Sequence, residues 1–273
     1  MSLDYLSHFG LSAQPFCKDV DDTELWMPPS KQSLVEELTD AMHARASALL
    51  TGEPGVGKTC VLRALRHALT PANFRLVYCQ NTTVGRRDFY RFLCLALGLQ
   101  KAQTAGDLFL AVSTHVEDLA KERVYPVFLV DEAHLLHQDP LDHLHILLNY
   151  QWDSKPLLSI VLIGLPELED RLRLRRNRSL YSRLHHRFAI GNLVPDDTSD
   201  YIRSRLARVG ATKDLFSADA LSILHEAAGS SLRDTDRIAT AALRTAARRK
   251  KKIVERDVLT RILQSESQSE DRA

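Results

Sequence analysis

The segment Gly52-Glu53-Pro54-Gly55-Val56-Gly57-Lys58-Thr59 satisfies G-x-x-x-x-G-K-[ST] at every fixed position. Glycines at this spacing let the backbone curl until successive N–H groups converge on phosphate oxygens. A helix that starts at the lysine adds the positive end of its dipole. Lys58 is then placed to reach β- and γ-phosphates and the Thr59 hydroxyl to ligate Mg²⁺, with the binding stretch running on to Cys60. About seventy residues later, Val127-Phe128-Leu129-Val130 leads into Asp131-Glu132. Four apolar residues describe a buried strand, and the two carboxylates fall at its C-terminal end, where parallel sheets bind ligands. Asp131 suits the Mg²⁺ shell, and Glu132 suits the orientation and polarisation of an attacking water. The cofactors predicted are ATP and Mg²⁺.

Such residues need strands and helices to hold them. Apolar runs at Ala48-Leu49-Leu50, 75–79, 127–130 and 159–163 read as strands, with a weaker fifth at Phe188-Ala189-Ile190. Helix-period segments at 61–69, 88–97 and 108–121 separate them. Alternation of this kind implies crossover connections and a mostly parallel sheet buried on both faces. After Val194-Pro195 only helical periodicity remains, near 198–208, 217–227, 232–248 and 256–263, with Asp196, Asp197 and Thr198 as capping candidates. The expected architecture is a three-layer α/β domain followed by a small all-helical lid. Its divisions are an N-terminal lead over 1–30, the nucleotide-binding domain over 31–194, the lid over 195–264 and a polar tail over 265–273.

Composition narrows the class. With 36 Lys+Arg against 35 Asp+Glu in 273 residues, the +1 balance names no partner, so any nucleic-acid surface has to come from local clustering. At 44% hydrophobic and 26% charged the chain is not a disordered one. The longest stretch free of charge and histidine, Pro156 to Pro166, falls short of a membrane span, and the first ten residues lack the pattern of a signal peptide. Cys17, Cys60, Cys79 and Cys94 form no CxxC pair and read as reduced thiols. A cytoplasmic protein without a membrane partner is expected. The histidines at 134, 137, 143 and 145 have no cysteine at zinc-site spacing.

The paired motifs and the helical lid resemble the AAA+ ATPases, and within them the ExeA-like group. Members open with a phrase like Phe9-Gly10-Leu11 … Pro15-Phe16, carry Leu147-Leu148-Asn149 after the acidic pair, and end a strand near Gly164-Leu165-Pro166-Glu167-Leu168. The likeness covers about residues 5–264. Asp131-Glu132-Ala133-His134 also spells the DEAH-box helicase signature, but those helicases carry a second RecA-like domain for which this length leaves no room. The AAA+ resemblance implies a catalytic arginine supplied by a neighbouring subunit. Arg183, in the Ser-Arg phrase before the last strand, matches it, with Arg187 as the alternative. Such a guanidinium is worth about 10³–10⁵ in rate. It also implies a sensor arginine in the lid, matched by Arg233, and a polar sensor after the fourth strand, where this chain has Leu165. Leucine cannot hydrogen-bond a water or a phosphate, which implies slow hydrolysis.

The group includes a secretion-pathway ATPase and the TniB-, IstB- and MuB-type helpers of DNA transposition. The helper resemblance implies a homo-oligomeric ring or helical filament on double-stranded DNA, with a transposase as partner. Its DNA contacts map to the loops after the second strand and the next helix, here Thr82, Arg86, Arg87, Lys101 and Thr104. A second basic cluster, Arg244 and 248–252, equally suits the dipole at a helix end. The alternative is a secretion-system assembly ATPase or another protein-directed AAA+ switch. The secretion relatives add a membrane span and a wall-binding domain, neither of which this sequence is expected to contain.

Overall fold

The computed structural model describes residues 4–80, 83–99 and 104–270. The chain runs through α1 (Asp4–Phe9), α2 (Pro29–His43), β1 (Ser47–Thr51), α3 (Lys58–Ala68), β2 (Phe74–Cys79), α4 (Arg86–Leu97) and α5 (Ala105–Lys121). It continues with β3 (Tyr125–Val130), α6 (Gln138–Leu147), β4 (Ser159–Gly164), α7 (Glu167–Arg173), α8 (Arg178–Tyr181) and β5 (Leu184–Ala189). The helices α9 (Pro195–Arg208), α10 (Ala218–Ala228), α11 (Leu232–Arg248) and α12 (Arg256–Glu270) follow. Contacts divide it into two units. One comprises 29–53 and 58–190, the other residues up to 28, 54–57 and from 191 onward.

In the first unit the five strands form one parallel sheet in the order β2-β3-β4-β1-β5. The three inner strands are buried at every residue, which is why they read as unbroken apolar runs. Both edge strands include exposed positions, and in β5 these alternate. That alternation explains the displaced fifth strand. β5 starts at Leu184 rather than 188, because its outward positions carry His185 and Arg187, which hide it from a search for apolar runs. Helices α4, α5 and α6 close the sheet through a core that includes Phe89, Tyr90, Leu93, Leu108, Val112, Val116, Leu141 and Leu144. In α5 the buried residues 108, 112, 116 and 119 make one stripe of helical period.

The second unit is helical. Along α11 the buried positions Thr235, Ile238, Ala239, Ala242, Leu243 and Ala246 repeat with the i, i+3, i+4, i+7 spacing that seats a helix on a core. The N-terminal segment is part of this unit rather than a detached lead. Tyr5 and Leu11 are buried in its core, the Ser12 N–H donates to the Val209 carbonyl, and the Trp26 ring lies 5.2 Å from that of Tyr201. Arg208 pairs with Glu24 at 3.1 Å. The last helix continues through Glu270, beyond the point where composition suggests a polar tail. Among the described residues no helix is long and apolar enough to cross a membrane.

Candidate active site

Neighbouring strands β1 and β4 send their outgoing connections toward opposite edges of the sheet, which opens a crevice at their C-terminal ends. The glycine loop leaves β1 there. The Gly52 N–H donates to the Gly164 carbonyl at 3.2 Å, tying the loop to the end of β4. Gly55 and Gly57 hold φ of +82° and +104°, which an L side chain adopts only with strain. Residues 54–57 group with the helical unit, in which the Leu232 N–H donates to the Gly55 carbonyl at 3.0 Å. A Cβ on Gly55 would stand 2.2 Å from Ser231 Oγ and 3.5 Å from Arg233 Cβ. Lys58 opens α3 and is buried. Its ammonium donates to the carbonyls of Gly52 at 2.6 Å and Glu53 at 3.1 Å, which curls the loop around one cation. Thr59 is exposed beside it.

The acidic pair follows β3. The Asp131 N–H donates to the Cys79 carbonyl, and each of its carboxylate oxygens accepts one hydrogen bond. Oδ1 accepts the Glu132 N–H at 2.9 Å, and Oδ2 accepts the Tyr78 hydroxyl at 2.6 Å. Burial first, then the hydrogen bond and charge of Asp131, push the Tyr78 phenol well above its ordinary range, so it stays a donor. Burial alone pushes the neighbouring Cys79 thiol up to about 12, which leaves it inert. Glu132 has φ +50° and a half-exposed side chain. A non-glycine residue in that region costs about 1–2 kcal/mol, a kind of strain that concentrates at functional sites. The Glu132 carboxylate lies 3.5 Å from His134 Nδ1, a buried nitrogen with no hydrogen-bond partner. His134 packs on the end of β4, since a Cβ on Gly164 would come within 3.3 Å of both its N and its Nδ1. The glycine loop, the end of β4 and the acidic loop therefore meet.

These groups fit a nucleotide with Mg²⁺. The curled loop and buried ammonium suit a polyphosphate, and Thr59 and Asp131 offer the oxygen donors of a hard cation. Among the described residues there is no cluster of three or more His, Cys, Asp or Glu able to hold a metal. Mg²⁺ in phosphate sites needs none, since one or two protein oxygens, phosphate and water complete its shell.

Other predicted residues lie apart. Arg183 immediately precedes Leu184, which pairs with Ser47, the first residue of β1, so it stands at the opposite edge of the sheet from Gly52. Its guanidinium donates to Asp153 Oδ2 at 2.7 Å and to the Ser179 carbonyl at 3.1 Å. Arg187 lies within β5, its guanidinium 4.0 Å over the Tyr181 ring. Arg233 is exposed in the first turn of α11, after Ser231 caps that helix by accepting the Asp234 N–H. Leu165 follows β4 directly.

Of the loop residues assigned to DNA, Thr82 and Lys101 lie outside the described residues. Arg87 is exposed at the start of α4. Arg86 stands 2.6 Å from His143 Nε2 and 3.7 Å from Asp139. Burial and the Arg86 charge hold His143 below its usual range, as suits a neutral acceptor. Thr104 caps α5, accepting the Asp107 N–H at 3.1 Å. In the second basic cluster Arg249 and Lys251 both pair with Asp257, and Lys251 also with Glu255.

Sequence reasoning missed Tyr78, Asp153 and Ser231. Tyr78 carried a faint signal, an aromatic hydroxyl next to the last residue of a strand. Only the β2–β3 register, with Tyr78 opposite Leu129, shows that it reaches Asp131.

Comparison with known proteins agrees with this geometry. Residues 24–172 match the model of the AAA domain family. The general secretion pathway protein A of Aeromonas hydrophila is 34% identical over 258 residues, 93% of this chain. This chain spans about half the length of that relative, 47%. Among solved structures, the Cdc6 protein of Pyrobaculum aerophilum superposes with a TM-score of 0.68 at 18% identity, over 88% of this chain and 67% of that one. The Aeropyrum pernix ORC1 protein in complex with DNA gives 0.67 at 18% identity, over 90% and 67%. Drosophila ORC bound to DNA gives 0.69 at 17%, over 95% and 65%. At these identities the structures speak for the fold alone. A complete phosphate loop, an acidic pair at the end of the inner strand β3 and a family model that covers more than half of the sequence agree: the chain belongs to the AAA domain family and has the P-loop AAA+ fold.

Proposed function

We propose that this ATPase is a switch that assembles with further copies of itself on double-stranded DNA in an ATP- and Mg²⁺-dependent manner, and that it presents this DNA to a transposase in the cytoplasm. The observation that carries assembly is the placement of Arg183. It lies at the sheet edge opposite the phosphate loop, roughly 16 Å away along the strand direction. That exceeds the reach of an arginine side chain, so the γ-phosphate it serves belongs to another copy. Lys58 holds the phosphates, Thr59 and Asp131 hold the metal, Glu132 directs the attacking water and Arg233 responds to the nucleotide. Mg²⁺ held there would supply neutralisation of phosphate charge. Leu165 offers no hydrogen bond to the water, which supports slow turnover.

The DNA reading rests on the helper-ATPase likeness and on exposed Arg87, and ORC proteins of the same fold are described on DNA. Arg86 joins such a surface only by leaving His143 and Asp139. A second reading is favoured by the secretion-pathway relative, and makes the load a protein of a secretion system. Light scattering with ATPγS, with and without a short duplex, at two salt concentrations separates them. Large particles that need both nucleotide and duplex and shrink with salt are expected, since phosphate contacts release counterions. Assembly indifferent to duplex transfers the proposal to the protein-directed reading.

A further inference from the structure

We infer that the Gln151–Asp153 turn is a docking element for a second copy of this chain, with Trp152 as its anchor and Asp153 as a latch on Arg183. Gln151, Trp152 and Asp153 hold φ of +48°, +62° and +61°, three consecutive non-glycine residues in the left-handed region. The Ser154 N–H closes the turn on the Gln151 carbonyl at 3.2 Å. This backbone throws the indole fully into solvent and turns the Asp153 carboxylate back onto Arg183 at 2.7 Å. Most large hydrophobic side chains on the surface are partly covered by their own neighbours, and this one is not. An indole held out on a strained turn has no folding role, whereas tryptophan is prominent among residues that anchor interfaces.

Charge complementarity selects the occupant. The turn and Arg183 present an aromatic and a guanidinium together at the N-terminal edge of the sheet. The phosphate loop stands at the C-terminal edge and, when loaded, offers a polyphosphate. One copy's turn therefore meets the next copy's loop head to tail, an arrangement that closes into rings or winds into filaments. In the free chain Asp153 neutralises Arg183, and docking has to exchange that carboxylate for the phosphate. The proposal rests on the trans role of Arg183 and adds the element that seats it and the group that restrains it.

The test uses the full chain carrying W26F, which leaves Trp152 as the one tryptophan of the two. On addition of ATPγS and Mg²⁺, the emission of Trp152 is expected to shift to the blue and its quenching by acrylamide to fall as sedimentation rises. In the wild-type background, W152A should raise the protein concentration for half-assembly at least about tenfold, the size of an interface hot spot, with the affinity for a fluorescent ATP analogue unchanged. Trp152 is fully exposed, so its loss does not threaten folding, and W152G, which relieves the left-handed strain, should weaken assembly equally. D153N, which frees Arg183, should lower the half-assembly concentration several-fold. An assembled particle in which Trp152 stays fully quenchable overturns the proposal, as do a chain that remains monomeric with ATPγS and an indole shielded by duplex without nucleotide. D153N that weakens assembly removes the latch. The parent reading fails separately: if R183A keeps full turnover while Trp152 is buried on assembly, the docking element stands without the trans arginine. If R183A abolishes turnover while Trp152 stays open, the arginine stands without the docking element.

Discussion

At the scale of single residues, the site is a set of charges held by backbone and by one phenol. Lys58 is buried with its ammonium on two loop carbonyls, acceptors that the phosphate oxygens of a bound nucleotide would replace. Hydrogen bonds to charged groups contribute about 1.5–3 kcal/mol each, so K58A is expected to weaken ATP binding by at least about a hundredfold, measured with a fluorescent analogue. Glu132 is different, since the role proposed for it lies in chemistry rather than affinity. E132Q should keep ATP and lose turnover by about 10²–10⁴, the range for a positioned general base, and unchanged turnover would remove it from that role. Tyr78 holds one oxygen of Asp131 at 2.6 Å. Partners that orient a metal ligand are typically worth about 10–100-fold in metal affinity, so Y78F should raise the Mg²⁺ concentration for half-maximal nucleotide binding about tenfold. A binding curve that does not respond to Mg²⁺ differently from wild type shows that the phenol does not orient Asp131. The motif residues were legible because their spacing is local. Tyr78 and Asp153 were not, because the first acts through strand register and the second through a turn 30 residues from its arginine.

Among the elements, strands were easiest to read where both faces are buried and hardest at the edge. β1, β3 and β4 announce themselves as apolar runs, while β5 hides behind His185 and Arg187. Polar and charged residues outside the two motifs are ambiguous guides to binding, since structure uses them as well. Thr104 caps a helix, Arg86 rests on a neutral histidine, and Asp257 takes up Arg249 and Lys251. The phosphate loop likewise has a second task, because its Gly55 carbonyl receives the Leu232 N–H at the start of α11. G55A tests that link. Its Cβ meets Ser231 Oγ at 2.2 Å, and φ of +82° adds strain of about 1–2 kcal/mol. Reduced thermal stability and weaker ATP binding are expected together. Adding S231A removes the clashing oxygen but also an N-cap worth about 1 kcal/mol. The double variant should therefore bind ATP better than G55A alone without regaining wild-type stability, a non-additivity that identifies direct contact. Simple addition of the two losses would place the strain elsewhere.

For the whole molecule, a parallel sheet separates what its loops present. The strands all point one way, so the phosphate loop and the acidic pair share one edge while Arg183 is confined to the other. No movement of one side chain joins them, so under the proposed role of Arg183 a single copy holds an incomplete catalytic set. Specific activity should accordingly rise with protein concentration, and two inactive variants should repair each other. K58A has no functional phosphate loop but an intact Arg183; R183A has the loop and lacks the arginine. Each alone should turn over ATP at no more than about 10⁻³ of the wild-type rate, the size of a missing arginine finger. Mixed in equal amounts, about a quarter of head-to-tail interfaces join an intact loop to an intact arginine, and activity should return in proportion. Recovery distinguishes a site shared between copies from one completed within the chain, because a site built in cis gains nothing from mixing. The same mixture with W152A in the K58A copy weighs the docking turn separately. That copy supplies the arginine, so weakening its anchor should shift the recovery to higher protein concentration without lowering its ceiling.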